Sequence, residues 1–116
     1  MARTVVRWVG GERRRPRLEA ELRRILAELP RLGVTKAILF GSLASGTVRE
    51  TSDLDLILIA PSGEPFTRRL ERFYLALGPS VGLDLFVYTP EEFSAMAEAN
   101  SFVRSALARG KVVYEA

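Results

Sequence analysis

Apolar positions along the chain alternate between two spacings. Leu18, Leu22, Ile25, Leu26 and Leu29 recur at the three-and-four spacing of one helix face. Pro16 is expected to open that helix, and Pro30 and Gly33 to stop it. Upstream, residues 1–11 carry Val5, Val6, Trp8 and Val9. They read as either a strand or an arm ended by Gly10-Gly11, with Trp8 packed on the domain. Thr35–Phe40 is a compact apolar run, hence a strand, and stops at Gly41. Ser42 to Gly46 reads as a short helix beginning at Ser42, and Arg49 to Ser52 as a polar loop. Asp53–Ala60 is a second strand, closed by the turn Pro61-Ser62-Gly63. Phe66, Leu70, Phe73 and Leu77 mark an amphipathic helix that Gly78-Pro79 ends. Its polar side holds Arg68, Arg69 and Arg72, read as surface. Val81–Tyr88 is a third strand. Thr89-Pro90-Glu91-Glu92 has the cap, the first-turn proline and the glutamate of a capping box, so a helix begins there. A further helix runs from Ser101 to Arg109, ended by Gly110, and Lys111–Tyr114 is a last strand.

This order predicts an α/β (α+β) fold with a mixed β-sheet flanked by helices. The stretch from Ala60 to Val81 is long enough for a right-handed crossover, which makes the second and third strands parallel. Gly41 reaches the same end of the sheet as Asp53 only if the first strand is antiparallel to the second.

Composition narrows the chemistry. A chain of 116 residues is expected to be one domain, 1–116. No apolar run approaches the roughly 20 residues that span a bilayer, and Arg3 and Arg7 interrupt any signal-peptide core. A cytoplasmic location is expected, with no membrane partner. Cysteine and histidine are both absent. Thiol nucleophiles, histidine bases, zinc fingers and disulfide frameworks are thereby excluded. Any metal must be held by oxygen, which favours Mg2+ or Mn2+. The net charge of +3 is carried almost wholly by arginine, densest at Arg13-Arg14-Arg15 with Arg17. That cluster reads as a solvated face in preference to a phosphate or nucleic-acid patch. No aromatic residue interleaves it, so stacking on single strands is not indicated.

Three aspartates break the apolar pattern. Asp53 and Asp55 stand at the start of the second strand, two residues apart and so on one face. Asp84 lies inside the apolar run of the third strand, where it is expected to be buried and unpaired. Desolvating an unpaired carboxylate is costly, so the pair calls for a cation, and such local violations mark sites. Gly41 stands where the backbone must turn sharply or approach something closely. Ser42 has two readings, an ordinary N-cap and a phosphate contact at a helix start, and both can hold together.

Gly41-Ser42, ten residues, then Asp53-Leu54-Asp55, with strands on both sides, resembles the signature of the DNA polymerase beta-like nucleotidyltransferases. The nearest likeness is to their minimal, MNT type. The resemblance implies the polymerase beta-like fold and attack of an acceptor hydroxyl on the α-phosphate of a nucleoside triphosphate, ATP, with pyrophosphate leaving. It implies that Asp53 and Asp55 ligate two Mg2+ (or Mn2+) ions, that Asp84 holds the ion activating the acceptor, and that Gly41 and Ser42 grip the triphosphate. Larger relatives carry an additional recognition domain, for which 116 residues leave no room. A HEPN-type helical partner in a toxin–antitoxin pair is therefore implied. The MNT turn often reads G-S-x-A-R-G; here Ser45 stands where that arginine would be, and Arg49 is the candidate substitute. The competing function is a catalytically weak module that neutralises its partner by contact. An RNA-binding accessory role through the arginine cluster is a third.

Overall fold

The computed structural model describes the backbone from Val6 to Ala116 and side chains from Glu12 onward. Its elements run α1 (Val6–Glu28), β1 (Lys36–Phe40), α2 (Gly41–Ser45), β2 (Leu54–Ile59), α3 (Phe66–Leu77), β3 (Leu83–Tyr88), α4 (Pro90–Ala99), α5 (Ser101–Arg109) and β4 (Lys111–Glu115). The strands form one sheet in the order β3-β2-β1-β4. β1 is antiparallel to both β2 and β4, whereas β2 and β3 are parallel. The sheet is mixed, as the placement of Gly41 required.

Strand alternation sorts the core into two layers. Leu54, Leu56 and Leu58 face one side and pack with Leu18, Ile25 and Leu29 of the first helical stripe and with Phe73 and Leu77 of α3. Ile57 and Ile59 face the other side with Ile38, Tyr88, Val103 and Ala106, and Phe93 and Met96 pack against them. With helices on both faces, β2 is apolar at nearly every position, as a central strand must be. The Thr89 box forms: Glu92 N donates to Thr89 Oγ1 (3.1 Å) and Thr89 N donates to Glu92 Oε1 (2.9 Å).

Two expectations need correction. Pro16 does not open the first helix; α1 already runs from Val6 and Pro16 lies inside it. The strand-or-arm reading therefore fails from Val6 onward, while residues 1–5 and the packing of Trp8 lie outside the described residues. A proline inside a helix forfeits a hydrogen bond. Anchors around Pro16 offset that loss: Arg14, Arg15 and Arg17 bond loop carbonyls elsewhere in the fold. Secondly, Arg69 is not on the surface. It is 2% exposed and donates to Val87 O, Glu64 O and Glu92. Since β3 is an edge strand, its outer carbonyls need a partner, and a long cationic side chain from α3 reaches one.

Candidate functional site

The register of the sheet assembles the site. Phe40, the last residue of β1, pairs with Asp55 on β2, and Asp55 pairs with Asp84 on β3. Directly opposite residues share a face, so the two carboxyls lie side by side. Asp84 is exposed rather than buried. Its strand is the sheet's edge, which leaves that carboxyl open to solvent.

Gly41 follows Phe40 with φ +75°, and a Cβ there would lie 2.7 Å from Asp55 Cγ. The position thus requires a residue without a side chain, for both its dihedral and its space. The chain then coils into α2. Gly46 N and Thr47 N both donate to Ser42 O at 3.0 Å, and Ser45 Oγ and Thr47 Oγ1 are 2.7 Å apart. Ser42 is the second residue of α2 and is not its cap; Phe40 holds that position, with no side-chain bond.

Asp53 lies one residue before β2, where Leu54 N donates to Gly82 O (2.9 Å). Its carboxylate is 3.6 Å from Arg14 Nη2, and Arg14 Nε donates to Ser52 O at 2.8 Å. The arginine cluster is therefore more than a solvated face. Arg15 bonds Gly46 O (3.1 Å), and Arg17 bonds both Ser80 O and Ser80 Oγ (3.1 Å each). Three side chains of α1 tie down the loops that enter β2 and β3. Sequence reasoning missed Arg14 as a neighbour of Asp53; its only signal was membership of the basic run.

Electrostatically the site is under strain. Burial, then the adjoining Asp84 carboxyl, then the charge of Asp53 push the Asp55 carboxyl up from 3.8 to about 7. On the inner side, Phe40, Phe86 and Phe102 pack together: the Phe86–Phe102 centroids are 5.1 Å apart and Phe40–Phe102 5.4 Å. Phe86 is two residues from Asp84 and so on its face, which makes this trio an apolar floor beside the acids.

The donor set suits a hard cation, being all carboxylate oxygen. Two carboxyls side by side, with the Asp55 carboxyl pushed up by burial and by its acidic neighbours, are an arrangement that a cation between them would relieve. The fit is best for Asp55 and Asp84. Among the described residues no three acids close into a group that could enclose an ion, and Asp53 is engaged by Arg14. Arg49, the candidate substitute for an arginine at Ser45, lies in the α2–β2 turn, where its N–H donates to Ser52 Oγ (2.8 Å).

A model of the nucleotidyltransferase domain family matches residues 20–115. No curated protein matches the chain. Among solved structures, a Sulfolobus solfataricus protein provisionally assigned as a nucleotidyltransferase is similar with TM-score 0.65 and 15% identity, over 91% of this chain and 87% of its own. That likeness is one of fold. Two toxin–antitoxin structures are more distant. One, with AMP-PNP, has TM-score 0.46 and 19% identity over 84% of this chain and 73% of its own. The other, a tri-AMPylated Shewanella oneidensis HEPN toxin with its MNT antitoxin, has TM-score 0.41 and 14% identity over 88% and 73%.

Proposed function

Since the chain belongs to the nucleotidyltransferase domain family, we propose that it transfers a nucleoside monophosphate from a nucleoside triphosphate, ATP, to an acceptor hydroxyl. The observation that carries this reading is the in-register pair Asp55–Asp84 beside the bare backbone of Gly41. Asp55 and Asp84, joined by Asp53 once it leaves Arg14, are the residues that would hold two Mg2+ (or Mn2+) ions, whose charge would activate the acceptor hydroxyl and steady the leaving pyrophosphate. Asp84, exposed on the edge strand, faces the side from which an acceptor can come. Gly41 lets a phosphate approach the backbone, and the Ser42 hydroxyl next to it can donate to a phosphate oxygen. Phe40, Phe86 and Phe102 keep water from the inner side of the acids. An intracellular location accompanies a reading in which ATP is the donor.

The sequence resemblance to the MNT type supports a HEPN-type helical protein as acceptor and partner. Labelled ATP, Mg2+ and the co-purifying partner test this together. Label should appear on the partner with the wild type and be lost with Asp55→Asn and Asp84→Asn. Equal labelling by those variants would overturn the reading.

The contact of Arg14 with Asp53 favours a second reading, a partner-neutralising module whose site is weak. That reading predicts that Asp55→Asn silences the partner as well as the wild type does.

A further inference from the structure

β3 is an edge strand, and its neighbour in the sheet is β2 alone. In that parallel ladder Leu54 N donates to Gly82 O and Ala60 N to Tyr88 O, each at 2.9 Å. Even-numbered residues along β3 therefore turn their backbone groups inward, and Leu83, Leu85 and Val87 turn theirs outward. Arg69 closes the edge at Val87 O (2.9 Å). Among the described residues no backbone bond from elsewhere in the fold closes it at Leu83 or Leu85, the two neighbours of Asp84.

That open stretch borders a groove of about 480 Å³ between β3 and α3. Leu70, Tyr74 and Leu75 of α3 line its far wall, and Asp84 and Phe86 its near side. Tyr74 is 40% exposed and Leu75 74%, so apolar surface lies bare next to the acids. The charged residues of the lining are Glu71 and Asp84, and Glu71 joins none of the ion pairs among the described residues. Nucleic acid is held through lysine and arginine on its phosphates, which this lining lacks. An apolar and acidic groove suits a polypeptide with apolar and basic side chains.

We infer that an extended segment of a protein acceptor adds antiparallel to β3, with a hydroxyl residue directly opposite Asp84. Such strand addition takes affinity from main-chain hydrogen bonds and specificity from alternate side chains. Leu83 and Leu85 would each exchange two hydrogen bonds with the residue facing them. The residue between those two occupies the non-bonded position opposite Asp84, where Cα atoms approach to about 4.5 Å and side chains share a face. Its hydroxyl is thereby delivered to the acids. Its two neighbours point to the other face, the side on which Leu83 and Leu85 pack with α3. The inference rests on the nucleotidyl-transfer reading for the reaction only. There the hydroxyl oxygen bonds to the α-phosphorus, the bond to the bridging oxygen breaks, pyrophosphate leaves with the electron pair, and the hydroxyl proton passes to water. Acceptor choice then follows a local pattern, a hydroxyl residue between two apolar ones with a basic residue beyond.

The test is fluorescence anisotropy of a labelled heptapeptide, Lys-Val-Leu-Thr-Leu-Val-Lys, titrated with the full chain. N-methylation of either leucine, whose N–H faces β3, should weaken binding about tenfold or more. N-methylation of the threonine, whose N–H points away, should not. Leu75→Glu should lose about tenfold and Glu71→Gln about two- to threefold. Leu107→Glu, exposed outside the groove, should match wild type. Equal binding by all the peptides, or loss only on methylating the threonine, overturns the strand addition. So does a groove taken by a single-stranded RNA oligonucleotide, or by a second copy in a dimer that Leu75→Glu dissociates. With labelled ATP and Mg2+ the threonine peptide should gain label, and its analogue with alanine at that place should not. Binding that is sensitive to leucine methylation, with no acceptor labelled, leaves the strand addition standing and sinks the transfer reading. Partner labelling that Leu75→Glu does not reduce, with no peptide bound, leaves transfer standing and sinks the strand addition.

Discussion

Gly41 and Asp55 occupy one space: a Cβ at position 41 would lie 2.7 Å from the Asp55 Cγ, and the backbone there has φ +75°. The turn after β1 and the central acid of the site are therefore a single steric unit. Gly41→Ala meets two costs, about 1–2 kcal/mol for the left-handed backbone and about 1–3 kcal/mol for the collision. Together these amount to a melting drop on the order of 10–20 °C. Adding Asp55→Ala removes the colliding atoms and should recover the second cost but not the first. Thermal melts of the two single variants and the double variant check this. Strictly additive losses would show that the two residues do not touch.

Asp55 links stability to pH in an unusual direction. Its carboxyl is held at about 7 in the fold against 3.8 ordinarily, by burial first and the Asp84 carboxyl second. The folded state thus binds the proton more tightly than the unfolded state, and stability falls as pH rises from about 4 to about 7. At full strength such a shift is worth about 4 kcal/mol; solvent screening at this half-buried site reduces it to about 1–2 kcal/mol. In EDTA, Asp55→Asn should melt about 5–10 °C above wild type at pH 8 and equal to it near pH 4. A gap that is the same at both pH values would refute the assignment. With Mg2+ and ATP at a hundred times the dissociation constant, wild type should gain about 2.7 kcal/mol, and Asp55→Asn should not.

Glu21 titrates in the opposite sense. It is buried on α1, accepts two hydrogen bonds from Arg24 (2.8 Å each) and one from Ser80 N (2.6 Å), and so ties α1 to the loop before β3. The Arg24 bond is the main cause that lowers its carboxyl from 4.5 to about 2, burial working against it. A depressed folded value stabilises above about pH 4.5, and the contribution is lost as pH falls toward 2. Glu21→Gln should cost about 2 kcal/mol at pH 7, and the deficit should shrink below about pH 4 and close only toward pH 2. Urea midpoints at the two pH values measure it; a deficit independent of pH would place the effect in packing alone.

Arg69 joins α3 to the outer edge of the sheet through Val87 O (2.9 Å), Glu64 O (2.9 Å) and Glu92 Oε1 (2.7 Å). Arg69→Leu leaves two carbonyls without that donor and Glu92 without its ion pair. Because Glu92 is half-exposed and can rehydrate, the expected cost is about 2–4 kcal/mol, at the lower end for a broken buried pair. Glu92→Gln keeps an acceptor and should cost less, about 1 kcal/mol. Denaturant midpoints decide between this account and a surface role for Arg69, under which Arg69→Leu would be neutral.

Local pattern alone determined most of the elements. The stripe from Leu18 to Leu29, the apolar strands and the Thr89–Glu92 box are set by residues three or four positions apart or by alternation, and each formed where it was expected. Asp55 and Asp84 were visible because a carboxylate in an apolar strand is a short-range anomaly, and the parallel orientation of their two strands followed from the length of the connection between them. The fate of the arginines could be decided only in the tertiary structure. Arg14 reaches Ser52 across 38 residues of chain, Arg69 reaches Val87 across 18, and Arg109 lies opposite Ser45 only because β4 returns beside β1. A long cationic side chain carries little information about its own partner: on a helix it reads as solvated surface whether or not a loop carbonyl waits within reach. The extension of α1 through Pro16 belongs to the same class, since distant anchors offset a local penalty that the sequence displays without its remedy.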